Sequence, residues 1–244
     1  MRLKVSTSAF LVVLATLVLC AGTRTHAQST AAATAGNGTY ISTDPLSGVR
    51  YDNRFDLSVG AAYGHQKAGP PPLEQGSNLG GLDVSGSAWF TRNLGVEGTG
   101  RAYLGSSGAG LGPGNTGPDA IKGPFVAQYI FAAGPEWLGP HNKHGALTVH
   151  ALFGGAHFIS HTYPLGPESV WFFNNQTAPA AIIGGHIDLN RSPRWVFRIT
   201  PDAIYTRYGI NYAGPSTYWG NTSTYPYWNF GISVGAEYKF KRLR

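Results

Sequence analysis

Residues 228–240 read Trp-Asn-Phe-Gly-Ile-Ser-Val-Gly-Ala-Glu-Tyr-Lys-Phe, and this stretch decides the fold. Trp228, Phe230, Ile232, Val234, Ala236, Tyr238 and Phe240 alternate with Asn229, Gly231, Ser233, Gly235, Glu237 and Lys239. Successive side chains of a strand point to opposite faces, so the spacing predicts a strand with one apolar and one polar side. Its length is sufficient to cross a membrane, because roughly 9–11 tilted strand residues span the hydrocarbon of a bilayer.

The same alternation recurs upstream. Phe55, Leu57, Val59, Ala61 and Tyr63 oppose Asp56, Ser58 and Gly60, and Leu82, Val84, Ala88 and Phe90 oppose Asp83, Ser85, Ser87 and Trp89. Leu94, Val96, Ala102 and Leu104 oppose Glu97, Thr99, Arg101 and Tyr103; Phe125, Ala127, Tyr129 and Phe131 form a fourth apolar face. Leu147, Val149, Ala151 and Phe153 oppose Thr148 and His150, and Ala181, Ile183, Ile187 and Leu189 oppose His186 and Asp188. Trp195, Phe197, Ile199 and Tyr205 oppose Arg198, Thr200 and Asp202, with Pro201 predicted to interrupt one ladder bond. Connections around residues 105–123, 160–177 and 209–224 are long. Those at Thr91–Asn93 and Asn190–Pro193 are short, and residues 134–145 read as a medium connection. An even number of strands with long loops at one rim and shorter turns at the other predicts an all-β, eight-stranded antiparallel up-and-down transmembrane β-barrel over residues 52–240.

Composition agrees. Charged residues make up 12% of the chain, against about 25% in an average soluble domain, while it carries 34 glycines and 13% aromatics. Residues 1–27 read as a secretory signal peptide: Arg2 and Lys4, an apolar run from Phe10 to Ala21, then Thr25-His26-Ala27 as a small-x-small cleavage site. Cleavage would remove three of 18 basic and none of 12 acidic residues, leaving a net charge of +3 and no cysteine, since Cys20 is the only one. Disulfide and thiol chemistry are excluded from the mature chain. No basic cluster with interleaved aromatics marks a nucleic-acid partner. Residues 28–51 read as a flexible lead-in, and residues 241–244 as a basic tail.

The ending Ser233-x-Gly235-x-x-Tyr238-x-Phe240 resembles the C-terminal signal by which the bacterial barrel-assembly machinery receives outer-membrane proteins, although Lys241-Arg242-Leu243-Arg244 follow it here. With Leu94-Gly95-Val96-Glu97-Gly98, Leu152-Phe153-Gly154-Gly155-Ala156-His157 and Ile183-Gly184-Gly185-His186-Ile187-Asp188, residues 52–240 resemble the OmpA-like eight-stranded outer-membrane β-barrel family. The resemblance implies a bacterial outer-membrane address and outer-membrane lipid as surroundings. It implies no activity. Larger members append a peptidoglycan-binding domain; none follows here, so no cell-wall tether is expected.

A barrel of eight strands is only wide enough for its own side chains. Inward charges are therefore expected to pair, because isolated buried charge is costly. The expected interior network is Asp56, Asp83, Glu97, Arg101, Asp188, Arg198, Asp202, Glu237 and Lys239. It reads either as a gated ion path or as a plug, and the strand number favours the plug. No metal ligands are assigned. His141 and His144 sit in a turn, His157 and His161 flank a loop start, and His-Glu-x-x-His is absent. No catalytic residues and no cofactor are assigned either. Some such barrels modify lipid A, and Ser160, His161, His157 and Glu168 are the residues nearest to a triad, but the expected His-x-Ser spacing is missing. A soluble lipocalin-like carrier of a small apolar ligand is the other alternative. The leading expectation is a monomeric, non-enzymatic outer-membrane protein meeting a surface protein or glycan through its long loops.

Overall fold

The computed structural model describes residues 44–68, 76–106, 125–160, 173, 175–210 and 223–240. Contacts divide the chain into residues 1–41 and 42–244, and all described residues belong to the second unit. The expected signal peptide, most of the long loops, His161, Glu168 and the 241–244 tail lie outside the described residues.

Eight strands run in chain order: β1 (Phe55–Lys67), β2 (Gly76–Trp89), β3 (Leu94–Ser106), β4 (Phe125–His141), β5 (Gly145–Ser160), β6 (Gln176–Asn190), β7 (Trp195–Ile210) and β8 (Ser223–Lys239). Each pairs antiparallel with the next, and β8 returns to β1 from Asp56↔Lys239 to His65↔Phe230. Closure leaves no sheet edge, the condition for a strand assembly in hydrocarbon, where no water is available to unpaired backbone groups. The seam depends on Gly60 and Gly235, which face each other across it. A Cβ on Gly235 would lie 2.1 Å from the Val59 carbonyl oxygen and 2.4 Å from the Gly60 Cα.

The three short turns share one device. Thr91 Oγ1 accepts the amides of Asn93 and Leu94 at 3.3 and 2.9 Å, Asn142 Oδ1 those of His144 and Gly145 at 2.7 and 3.1 Å, and Ser192 Oγ those of Arg194 and Trp195 at 3.3 and 3.0 Å. A short polar side chain satisfies amides that the ladder leaves free. The medium connection expected at 134–145 is a tight turn instead. β4 continues through Gly134 and Pro135 to His141, and a register shift between Leu138 and His141 absorbs one residue. Gly-Pro reads as a stop in sequence, but here it interrupts only the β4–β5 ladder, which resumes in the same register from Ala133↔Phe153 to Glu136↔His150. Pro201 acts likewise: the β6–β7 ladder stops at Gly184↔Asp202 and resumes at Ile187↔Ile199.

The apolar parity faces outward. Leu57, Val59, Leu82, Phe131, Phe153 and Val234 are all exposed, whereas Asp56, Asp83, Glu97, Arg198 and Glu237 are buried. A water-soluble barrel carrier has the reverse arrangement, so that alternative is overturned. Aromatics gather toward the rims, with Trp195 and Tyr238 at 5.0 Å and Tyr238 and Phe240 at 5.2 Å on the short-turn side, and Tyr205 and Trp228 at 5.3 Å on the other. Such belts suit the two membrane–water interfaces.

The lead-in is not featureless throughout. Residues 45–48 form a turn, and Tyr51 docks across the short-turn rim. Its hydroxyl donates to the Asn142 carbonyl (3.0 Å) and accepts from Asn190 Nδ2 (2.7 Å), while Lys239 Nζ stands 4.4 Å from its ring centroid. Partial burial pushes the Tyr51 phenol above its usual range.

Candidate functional site

Strand parity delivers all nine predicted charged side chains into the bore, and each is buried. They are stacked in levels. At the short-turn end Asp56 accepts from Trp89 Nε1 (2.7 Å) and Asn53 Nδ2 (3.2 Å), and Lys239 Nζ donates to Asn190 Oδ1 (3.3 Å). These two are held by neutral partners and an aromatic face, where ion pairs were expected.

Above them Arg198 is the centre of a triad. Its Nε and Nη2 donate to the two oxygens of Asp188 at 2.8 and 3.0 Å, and Nη2 lies 2.7 Å from Glu237 Oε2. The planar guanidinium matches a carboxylate with two parallel bonds, which lysine could not do. A second triad surrounds Arg101, with Nη1 2.6 Å from Asp202 Oδ2 and Nε 3.5 Å from Asp83 Oδ1. Asp83 also accepts from Thr99 (2.9 Å) and from Ser233 (2.7 Å), so the serine of the presumed assembly signal has a structural bond inside the barrel. Gly235 serves the seam, and Tyr238 and Phe240 belong to the outer aromatic belt.

Between the two triads lies a cluster of Glu97, His150, His186 and Glu136. Glu97 Oε2 is 2.7 Å from His150 Nδ1 and 3.1 Å from His186 Nε2, and His186 Nε2 is 3.7 Å from Glu136 Oε1. The outer nitrogens are anchored: His150 Nε2 to Asp202 Oδ1 at 2.8 Å, His186 Nδ1 to Thr200 Oγ1 at 2.9 Å. The donor atoms of Glu97, His150 and His186 lie within 4.8 Å of one another. The sequence places His150 and His186 inward by parity but offers no cysteine beside them and no His-Glu-x-x-His, so it assigns no ligands. His150 and His186 are 36 positions apart and meet only through the register Thr148↔His186 of β5 and β6. Glu136 was missed because Gly134-Pro135 resembled a turn; the signal available was the resumed alternation Glu136, Trp137, Leu138.

Nearer the long-loop rim large apolar and aromatic side chains join buried Gln66, Ser77, Gln128 and Thr206 in the bore. Tyr103, Ile130, Leu152, Ile182 and Ile204 are fully buried. Phe173, from the β5–β6 connection, inserts above them against Phe158 (5.9 Å) and Tyr208 (5.5 Å), with its amide donating to the Ala68 carbonyl (3.1 Å). Gln128 Nε2 donates to the Tyr208 hydroxyl at 2.5 Å. Of the residues nearest to a triad, Ser160 points into the bore and His157 points out, where it bonds Thr177 Oγ1 at 2.8 Å.

A closed eight-stranded antiparallel barrel with an apolar exterior, a charged and aromatic interior and short turns at one rim defines the fold class of the outer-membrane β-barrels. No family model matches the chain, and no curated protein matches it in sequence. Among solved structures, outer membrane protein OprG of Pseudomonas aeruginosa aligns with 78% of this chain and 97% of its own, at 13% identity and a TM-score of 0.52. Escherichia coli outer membrane protein W aligns at 16% identity and a TM-score of 0.45, covering 77% of this chain and 98% of its own. Ail, the attachment invasion locus protein of Yersinia pestis, aligns at 16% identity and 0.44, covering 76% and 97%. At these identities the likeness is one of fold.

Proposed function

We propose that this protein is a monomeric, non-enzymatic outer-membrane barrel whose work is done at the long-loop rim, with the transmembrane body serving as a closed, rigid anchor. The observation that carries the reading is the filling of the bore. Two arginine-centred triads, a histidine–carboxylate cluster and an aromatic plug around Phe173 succeed one another along its axis. Charges held that tightly to one another resist exchange with passing ions, and the plug above them is packed with aromatic rings. Structural or surface-interaction roles then belong to residues 105–123, 160–177 and 209–224, the last rich in Tyr, Trp and Asn and suited to a glycan or protein partner. Export would use residues 1–27 as a cleaved signal peptide, and the assembly machinery would read Ser233, Gly235, Tyr238 and Phe240 in the unfolded chain.

Planar-bilayer recording of the refolded barrel tests the closed anchor: no steady conductance is expected, and a stable unitary conductance refutes it. Shortening each long loop in turn tests the rim. The barrel should still change mobility on boiling in SDS, while adhesion to glycan or protein surfaces falls. Undiminished adhesion with all three loops shortened refutes the surface role.

A further inference from the structure

The cluster between the two triads carries more than a plug requires. Among the described residues seven buried carboxylates (Asp56, Asp83, Glu97, Glu136, Asp188, Asp202 and Glu237) face only three permanent cations, Arg101, Arg198 and Lys239. Four carboxylates are left to be balanced by protons, by the two histidines or by a bound cation. The imbalance is sharpest at Glu136, which is fully buried and has no hydrogen-bond donor on either carboxylate oxygen.

The histidines beside it are arranged as ligands. A carboxylate accepts only hydrogen bonds, so His150 Nε2 carries the proton it donates to Asp202. By the same rule His186 Nε2, hydrogen-bonded to Glu97 Oε2 at 3.1 Å, donates to it, with Thr200 Oγ1 able to accept from Nδ1 instead when Nε2 serves as a ligand; Nδ1 of His150 turns its lone pair toward Glu97. That lone pair and the carboxylate repel unless a proton or a metal cation stands between them. His150 Nδ1 and Glu97 Oε2 are 2.7 Å apart without the alignment of a hydrogen bond, and Glu97 Oε1 is likewise unpartnered. Protonating both imidazoles would still leave Glu136 without a donor, since its nearest approach to His186 is 3.7 Å. Metal-binding imidazoles characteristically have their second nitrogen fixed by a carboxylate or other oxygen, which is the arrangement at Asp202 and Thr200.

We infer that Glu97, Glu136, His150 and His186 form a buried binding site for one divalent transition-metal ion, zinc being the best match. Two imidazole nitrogens and two carboxylate oxygens make a four-coordinate set drawn from the ligand types zinc accepts. Bonds of about 2.0–2.2 Å put tetrahedral ligand atoms roughly 3.3 Å apart. The observed 2.7 and 3.1 Å would open and the 4.8 Å spread of Glu97, His150 and His186 would close, with Glu136 brought in from 3.7 Å, so binding moves these side chains by about an ångström. The ligands come from β3, β4, β5 and β6, four consecutive strands. Glu136 stands beside Pro135 at one interrupted ladder, and His186 lies in the gap of the other, between the pairs Gly184↔Asp202 and Ile187↔Ile199. The ion would join the half of the barrel where backbone pairing is incomplete.

The test refolds the untagged protein from metal-free urea with and without zinc, then exposes it to a chelator and measures bound metal. One zinc per folded chain, resistant to brief chelation and raising the unfolding temperature, is expected. X-ray absorption at the zinc edge should show two imidazole and two oxygen ligands. Glu136→Gln and His186→Asn, each checked for the boiling-dependent mobility shift, should weaken zinc binding at least tenfold. A folded wild-type barrel that retains no zinc after chelation overturns the site. So do folded variants that hold zinc as tightly as wild type, or a ligand set lacking both imidazoles. Should the variants fail to fold, the wild-type stoichiometry and absorption spectrum decide.

Discussion

Replacing Arg198 with alanine separates a sealed bore from a wet one. The guanidinium touches Asp188 at 2.8 and 3.0 Å and Glu237 at 2.7 Å, and all three groups are buried. Each pair is worth ~4 kcal/mol of Coulomb attraction at a charge separation of ~4 Å and an effective dielectric of about 20. Most of that offsets the cost of taking the charges out of water. Removing only the cation forfeits the attraction and leaves two carboxylates desolvated side by side. The expected loss is about 3–5 kcal/mol, the usual cost of breaking a buried pair. It should appear in urea unfolding of the refolded barrel in phospholipid vesicles, followed by tryptophan fluorescence and by boiling-dependent mobility. Replacing the triad as a unit (Arg198→Met, Asp188→Leu, Glu237→Leu) should recover most of the loss, since no charge is then stranded. If the bore were a hydrated ion path, water would solvate the orphaned carboxylates, and Arg198→Ala would cost under about 1 kcal/mol, as exposed pairs do. That result would refute the plug.

Gly235→Ala should lower the yield of closed barrel and destabilise it by about 1–3 kcal/mol, as overpacking does, because its methyl meets backbone atoms of Val59 and Gly60; refolding yield and urea midpoint measure this. Leu82→Arg, on the lipid face opposite Ala61 and Ala102, should cost about 2–4 kcal/mol in vesicles; an unchanged midpoint would mean that this face does not meet hydrocarbon. Docking of the lead-in should weaken in acid. The Leu46 amide and then Lys143 hold the Asp44 carboxyl below its ordinary 3.8, so its contribution is present above that value and is lost as pH falls through the lower folded value. Amide exchange of residues 46–49 should rise at that pH and be little changed by Lys143→Ala at neutral pH, because the Asp44 carboxylate also accepts from the Leu46 amide (2.9 Å).

Side-chain parity made most of the barrel readable in one dimension. A strand puts every second residue on the same face, so the alternation around Asp56, Asp83, Glu97 and Glu237 announces both the direction of the charges and the closed sheet that backbone pairing in hydrocarbon demands. Loop lengths followed from glycine and proline placement. The same rule failed at Gly134-Pro135, since proline forbids only one donor, and neighbouring strands can carry a chain through it.

What lay beyond one dimension was which inward groups meet. Parity says that His150, His186 and Glu136 point inward once their strands are known, but the level each reaches depends on the stagger between strands, which no local pattern encodes. Tyr51 and Phe173 entering the barrel's two mouths are set by the space left inside once eight strands have closed. The sequence by itself determined an eight-stranded barrel with an apolar coat and a charged bore. Only the tertiary structure decided that arginine triads and aromatics fill the bore, and that Glu97, Glu136, His150 and His186 from four strands meet in one cluster.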